Sequence, residues 1–265
     1  EIAQCLVGSE MCIRDSLGII GGMGPAAGAR LFTRVTEMTA ARTDQEHIDA
    51  ILLSDPSVPD RTSYLSDSTD ARDFVPILQE KARLLEMLGC EVLAMSCNTA
   101  HAGYSEIASA APHTQFLHMP KETIQFVASL GCQHPIILAT TGTIESNIFQ
   151  SLCADEGIDC VLPSIELQVL IMDMIYTYLK AGKTVPTKML RTACAKIIAS
   201  GADSIILGCT ELSLLDLGCY YGSLPIIDAL DVLAWRCVQA CGAPAKNLPE
   251  FYLNNPNQSP TKTTE

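Results

Sequence analysis

Two cysteines in this chain occupy matching local settings. Glu91-Val92-Leu93-Ala94-Met95-Ser96-Cys97-Asn98-Thr99 and Asp203-Ser204-Ile205-Ile206-Leu207-Gly208-Cys209-Thr210-Glu211 are both strand-like apolar runs that end in a cysteine followed by polar residues. Each run starts just past a glycine, Gly89 or Gly201, that closes a helix-like segment, and each cysteine arrives eight residues after that glycine. A cysteine placed where a buried parallel strand turns into a helix lies beside unpaired backbone N–H groups, which stabilise a thiolate and can also bind a carboxylate. Two such thiols suggest a paired acid and base whose titrations are coupled.

Bringing two strand ends together requires a particular scaffold, and the chain alternates strand and helix signals along most of its length. Leu17-Gly18-Ile19-Ile20 predicts a short strand running into Gly21-Gly22-Met23-Gly24-Pro25, followed by helical composition from Ala26 to Ala41 and a strand at Ala50 to Leu53. Pro76 to Leu88 predicts a helix with Ile77, Leu78, Leu84, Leu85 and Leu88 on its apolar face, before the strand that ends at Cys97. Pro135-Ile136-Ile137-Leu138-Ala139 and the turn Thr140-Thr141-Gly142-Thr143 open a second half in the same order. A strand near Cys160-Val161-Leu162, helices over Glu166 to Ala181 and Thr187 to Ser200, and the strand ending at Cys209 complete it. Gly24 and Gly142 are 118 residues apart and Cys97 and Cys209 are 112 apart, the outline of an internal duplication.

Near-continuous apolar strands alternating with helices imply an α/β fold of two pseudo-symmetric doubly wound domains with parallel sheets. Ligands bind such sheets outside the carboxyl ends of the strands, so both cysteines and the glycine turns are expected at the interdomain cleft. The expected boundaries are 17–117 plus about 224–244 for the first domain, with Leu224 to Ala240 closing back on it as a helix, and 118–223 for the second. Residues 1–16 are read as an unmatched flank, with Ala3 to Ser16 like translated flanking or adapter sequence, and 246–265 as a tail without ordered structure.

Composition narrows the function classes. A net charge of −13 with only 17 Lys and Arg offers no general basic surface for nucleic acid or an anionic membrane, so an anionic small substrate needs locally placed cations. No apolar stretch reaches the length of a membrane span and no signal peptide is apparent, which points to the cytoplasm. The 12 cysteines lie in apolar periodic segments and are read mostly as reduced core residues. There is no CxxC, and Cys237 and Cys241 lack the partners of a zinc site, so no metal is expected. Gly21-Gly22-Met23-Gly24 lacks both the GxGxxG spacing of a dinucleotide site and the Lys-Ser/Thr of a P-loop.

Five motifs, in order and spacing, carry a resemblance: Gly21-Gly22-Met23-Gly24-Pro25, Pro59-Asp60-Arg61-Thr62, Cys97-Asn98-Thr99-Ala100-His101, Ala139-Thr140-Thr141-Gly142-Thr143 and Gly208-Cys209-Thr210-Glu211. Over roughly Leu17 to Ala240 the chain resembles the aspartate racemase branch of the aspartate/glutamate racemases. The resemblance implies a cofactor-independent amino-acid racemase, with Cys97 and Cys209 facing each other across the substrate α-carbon. It implies aspartate as substrate, with glutamate or a broader range of amino acids as the alternative, and a homodimer as the assembly. It maps the family's cations for the side-chain carboxylate onto Arg61 and Lys180, and it places Met23 at the substrate. The chain departs from its relatives in having Ser96 where proline is common, and Ala26-Ala27-Gly28 after the Gly-Pro turn.

Two opposed groups suit the reaction because inversion removes the α-proton from one face and returns a proton to the other. Without an electron sink, the carbanion needs donors aimed at the α-carboxylate, for which Asn98, Thr99, Thr210 and the turn residues Thr141, Gly142 and Thr143 are candidates. Alternatives stand beside each role. His101, four residues past Cys97, either tunes the thiolate or donates to substrate, or is simply satisfied locally. Glu211 either orients the second site or complements a helix N-terminus, and Lys180 precedes a helix end where the dipole favours a cation anyway. Arg61 is either a ligand cation or a surface loop arginine. A related decarboxylase or cis-trans isomerase, or a catalytically silent binding protein of the same fold, remains open at this point.

Overall fold

The computed structural model describes residues 15–66, 71–248 and 250. Strands β1 (Leu17–Gly21), β2 (Ala50–Ser54), β3 (Val92–Met95) and β4 (Gln115–Phe116) form one parallel sheet in the order β2-β1-β3-β4. A second sheet has the order β5-β6-β8-β7, from β5 (Pro135–Leu138), β6 (Ser204–Leu207), β7 (Tyr220–Tyr221) and β8 (Leu224–Asp228). It is parallel except for the short edge strand β7, which runs antiparallel to β8. The strands β1, β3, β5 and β6 are buried along their whole length, as parallel strands covered on both faces must be. The expected α/β architecture of two parallel-sheet halves is therefore the observed one.

The covering helices are α1 (Pro25–Met38), α2 (Arg61–Leu65), α3 (Val75–Met87), α4 (Tyr104–Ala108), α5 (Met119–Ser129), α6 (Thr141–Glu145), α7 (Ile148–Asp155), α8 (Ile165–Asp173), α9 (Thr187–Ala199) and α10 (Ala229–Ala240). Proline stands in the first turn of α1, α3 and α5, where its missing N–H costs nothing. The two central strands that matter for function, β3 and β6, each have a parallel neighbour on both sides.

Several local expectations change. Leu224–Asp228 is not the start of a helix but a strand hydrogen-bonded to β6 in the second sheet, because Pro225, Ile226 and Ile227 suit a buried pleated strand better than a helix. The helix begins at Ala229, where the Asp228 carboxylate caps the Leu230 N–H, and its Leu230, Leu233 and Val238 share a core with Leu31, Val35 and Met38 of α1. The region near Cys160-Val161-Leu162 makes a single bridge, Val161 to Ile136, and Pro163 follows at once. The predicted helix over Glu166 to Ala181 divides into α8 and a π-helical turn, Met174–Leu179, in which the Lys180 N–H reaches back to Ile175 O at 2.9 Å.

The ends also differ from expectation. Ser16 O accepts the N–H groups of Glu91 and Val92, and its hydroxyl donates to Gly89 O, so the flank joins the fold before Leu17. At the other end the Lys246 N–H bonds Met38 O at 2.8 Å and Leu248 is buried in the core, so Lys246 to Leu248 are packed chain rather than tail. Residues 1–14 and 251–265, on which the rest of those two expectations falls, lie outside the described residues. All ten cysteines among the described residues are free thiols, and no helix there is long and apolar enough to cross a membrane.

Candidate active site

Cys97 stands two residues past the end of β3. The Ser96 N–H bonds Ile20 O at 3.0 Å, continuing the sheet by one residue, and after Asn98 the chain forms a five-residue 3-10 turn, Thr99–Gly103. That turn runs directly into α4, so Cys97 precedes the N-terminus of a short helical stretch of mixed geometry, as expected. Side chains add charge to it. Arg61 is 6% exposed and lies beside Cys97, its guanidinium donating to Met23 O and Pro59 O, both at 2.8 Å. Burial works against its charge, but Cys97, Asp60 and Glu211 outweigh that and raise its pKa. The Arg61 Nε is buried with no partner among the described residues.

His101 does not reach the thiol. Its Nδ1 lies 2.8 Å from Cys97 O and its Nε2 accepts the Met119 N–H at 3.1 Å. Complete burial, with His118 adding to it, lowers the pKa to about 3, so the ring is neutral and Nδ1–H is the donor. Of the roles open to His101, the observed one is to brace the main chain under Cys97.

Cys209 stands two residues past β6 in the same way, with Gly208 N–H on Leu138 O at 2.8 Å and a 3-10 turn, Leu212–Leu215, following. Its surroundings are the reverse of those at Cys97. The Sγ–H donates to Glu211 Oε2 at 3.0 Å, while Glu211 Oε1 accepts from Lys180 Nζ at 2.8 Å. Burial first, and then the Glu211 carboxylate, hold the Cys209 thiol well above its ordinary pKa. For Lys180, burial lowers the pKa and the Glu211 pair more than reverses it. Gly24 leaves room for that carboxylate, since a Cβ there would lie 2.8 Å from Glu211 Oε1.

Both cysteines line one narrow cleft, together with Met23, Arg61, Lys180 and Glu211. Three more of the sequence candidates, Asn98, Thr99 and Thr210, also line it. Thr99 Oγ1 lies 2.8 Å from Thr143 Oγ1 and 3.0 Å from Thr140 Oγ1, and the Thr210 hydroxyl donates to Ser96 O at 3.1 Å, so each cysteine turn is bonded to the opposite half. Asn98 is 2% exposed, and neither its Oδ1 nor its Nδ2 has a partner among the described residues. A buried amide left without partners is costly unless a ligand completes it.

Thr141, Gly142 and Thr143 are not on the cleft wall. The segment is helix α6, capped by Thr140, whose hydroxyl accepts the Thr143 N–H and which itself faces the cleft. The Thr141 N–H points to Met172 Sδ, Thr143 backs Thr99, and Gly142 allows α6 to press on α2, where a Cβ would lie 2.9 Å from Thr62 Cα. The capping signal, Thr140 three residues before Thr143, was available in the sequence. Asp60 and Tyr176 also line the cleft without having been singled out: Asp60 caps α2 through the Ser63 N–H, and the Tyr176 hydroxyl donates to it at 3.1 Å from the other half. Tyr176 carries the Lys180 ammonium 5.4 Å over its ring, a pairing that the i, i+4 spacing permits. A wider, more open space adjoins the cleft, with Val58, Leu179 and Leu214 among its walls and with Arg61, Lys180 and Glu211 in common.

Among the described residues no group of three or more His, Cys, Asp or Glu side chains is placed to hold a metal ion. What the cleft does hold is two thiols in opposite electrostatic settings, two cations and an unpaired amide, a set suited to moving protons on a small zwitterionic molecule. Comparison with known proteins agrees. The family model for Asp/Glu/hydantoin racemase matches residues 20–237. The broad specificity amino-acid racemase RacX of Bacillus subtilis is 27% identical over 82% of this chain and 94% of its own length. Among solved structures, the Picrophilus torridus aspartate racemase aligns with a TM-score of 0.77 and 29% identity, covering 90% of this chain and 98% of its own. The glutamate racemase of Campylobacter jejuni, at 18% identity and a TM-score of 0.60 over 88% of each chain, shares the fold. Since the family match runs from the first strand into the closing helix, the protein belongs to the Asp/Glu/hydantoin racemase family and is an isomerase, an amino-acid racemase.

Proposed function

We propose that the protein interconverts the enantiomers of an acidic amino acid, aspartate in first place, by two-base proton transfer between Cys97 and Cys209 without a cofactor. The observation that carries this reading is the Asn98 amide, buried and without a partner among the described residues in a cleft that both thiols line. Cys97, beside the Arg61 guanidinium, serves as the thiolate; Cys209, donating its proton to Glu211, serves as the thiol. In one direction the Cα–H bond breaks and its proton passes to Cys97, while Cys209 delivers its proton to the opposite face of the carbanion. Lys180, already paired with Glu211, then faces the new Cys209 thiolate. Asn98, Thr99 and Thr210 supply donors for the α-carboxylate as negative charge spreads onto it.

A broader substrate range has its own support. Arg61 is engaged by main-chain carbonyls and Lys180 by Glu211, so neither cation is wholly free for a distal carboxylate, and the adjoining wider space accommodates longer side chains. Aspartate racemisation is the activity named for the Picrophilus structure and broad specificity that named for the Bacillus relative. Exchange of the α-hydrogen across a panel of L-amino acids in deuterated water, with no cofactor added, separates the two. Aspartate exchanging fastest supports the first reading, neutral or basic amino acids exchanging as fast support the second, and no exchange with any amino acid would sink both in favour of a silent binding protein.

A further inference from the structure

Behind the Cys209 turn lies a half-buried aspartate, Asp228, that neither the sequence motifs nor the cleft accounts for. Asp228 ends β8 directly opposite Leu207, the last residue of β6 before Gly208 and Cys209. One oxygen of its carboxylate, Oδ1, accepts both the Leu230 N–H at 2.9 Å and the Ser213 hydroxyl at 2.7 Å. Ser213 is 4% exposed and sits in the 3-10 turn whose neighbours close on the site: the Leu212 N–H bonds Cys209 O and the Leu214 N–H bonds Glu211 O. A single carboxylate oxygen thus ties the first turn of α10 to the segment that carries both Cys209 and the acceptor of its proton.

We infer that Asp228 is a positioning residue for the Cys209–Glu211 turn, acting through Ser213, and that its ionisation imposes on turnover a pH dependence separate from that of the thiols; this rests on the racemase reading above. The charged groups around it are accounted for from each packed element. Asp231, on α10, is one turn away and is held by Arg34 of α1 through two bonds of 2.6 and 2.8 Å. Arg30 of α1 and Asp216 pair at 3.2 Å on the wall of a cavity that Arg34, Ser213, Asp228 and Asp231 also line. Arg34 thus makes its ion pair with Asp231, not with Asp228. Burial first, and the Asp231 charge second, push the Asp228 pKa up to about 7, against the pull of Ser213, the Leu230 N–H and Arg34. Ionised, Oδ1 makes two charge-assisted bonds; protonated, it is a neutral acceptor with bonds roughly half as strong. Acidification through neutrality therefore loosens the grip on Ser213 and on the turn.

Asp228→Asn keeps an acceptor of the same shape and abolishes the titration. Measured by α-proton exchange between about pH 5 and pH 9, wild type should show an inflection near neutrality in kcat. Asp228→Asn should lack it, with kcat about tenfold lower on the alkaline side and KM unchanged. Ser213→Ala should lower kcat on the alkaline side similarly, and Ser213→Thr should restore it. Thermal unfolding gives a readout independent of catalysis. Because the folded pKa lies above that of a free carboxyl, this group favours the fold most at low pH and progressively less as pH rises from about 4 to about 7. The Tm of Asp228→Asn relative to wild type should then climb across that window. A variant that keeps the wild-type inflection, a flat Tm difference, or an indifferent Ser213→Ala overturns the inference while wild-type exchange stands. Absence of exchange in wild type itself sinks the racemase reading instead.

Discussion

Cys97 and Cys209 each follow a central buried strand by two residues and each lead into a short 3-10 turn, but the groups that face them differ in sign. Arg61, from outside the first turn, sits beside Cys97, whereas Glu211, two residues along the second turn, takes the proton of Cys209. The bracing differs as well. A neutral His101 holds the carbonyl of Cys97, while an acidic Asp228 holds the Cys209 turn through Ser213. Topological duplication thus places two equivalent thiols, and side chains that are not duplicated make them unequal. On the two-base reading this inequality has a use, since one member must be a thiolate while the other is a thiol.

The most severe way to break the comparison is to remove either thiol. Cys97→Ser and Cys209→Ser should each lower racemisation by about 10²- to 10⁴-fold, the usual worth of a positioned acid or base, since a serine hydroxyl is far too weak an acid to take over. They should not fail alike: each should retain α-proton exchange only for the enantiomer whose hydrogen faces the surviving thiol. Chiral analysis of products beside deuterium uptake reads this out, and racemisation at wild-type rate in either variant would end the two-base assignment. Cys90, Cys132 and Cys194 provide the control, because their substitution should leave activity largely intact.

Next in size is Arg61. Since the guanidinium also braces the carbonyls of Met23 and Pro59, Arg61→Lys is the cleaner variant and Arg61→Ala the stronger one. If Arg61 pairs with a distal carboxylate, loss of the charge-assisted contact costs about 1.5–3 kcal/mol. The ratio of kcat/KM for aspartate to that for alanine should then fall by about ten- to a hundredfold in Arg61→Ala. An unchanged ratio assigns Arg61 to the turn and to Cys97 alone.

Glu211→Gln sharpens the comparison from the other side. The Cys209 thiol is held high by burial and then by this carboxylate, so the variant should lower its pKa and bring the two thiols closer in behaviour. In a Cys97→Ser background the alkylation of Cys209 by iodoacetamide should then begin at lower pH, with kcat of the otherwise wild-type variant down about tenfold. An unshifted alkylation profile would remove Glu211 from the account of Cys209.

The smallest effect on activity is expected at His101, whose signature is in stability. Its folded pKa of about 3 lies below the 6.5 of the free group, so the unfolded chain binds the proton more tightly. The stability it contributes is complete above about pH 6.5 and is lost progressively as pH falls toward 3. Wild type should therefore lose Tm on acidification more steeply than His101→Asn, and equal slopes would show that the ring is not held neutral.

Much of this was legible in one dimension because the signals are local. Buried parallel strands need unbroken apolar runs, so β1, β3, β5 and β6 stood out, and Cys97 and Cys209 were marked by their distance from Gly89 and Gly201. The errors arose where a local signal had two meanings. Leu224 to Ala240 is apolar throughout, and only the partnership of β8 with β6 separates the strand from the helix at Asp228. Thr141 to Thr143 were expected at the cleft wall, where Thr140 stands instead, because an N-cap and a substrate donor call for the same hydroxyl.

By itself, then, the amino-acid order determined the alternation of strands and helices and the place of the two thiols, which follow from periodicity and spacing within about ten residues, and the doubling of the unit, which follows from the recurrence of those local signals more than a hundred residues on. What only the tertiary structure decided is the sign of each thiol's surroundings. Arg61, Lys180, His101 and Asp228 act on main chain or carboxylates that lie far away in sequence or on the far side of a turn. Electrostatic energies depend on distance and burial in space, and neither is written into the order of residues.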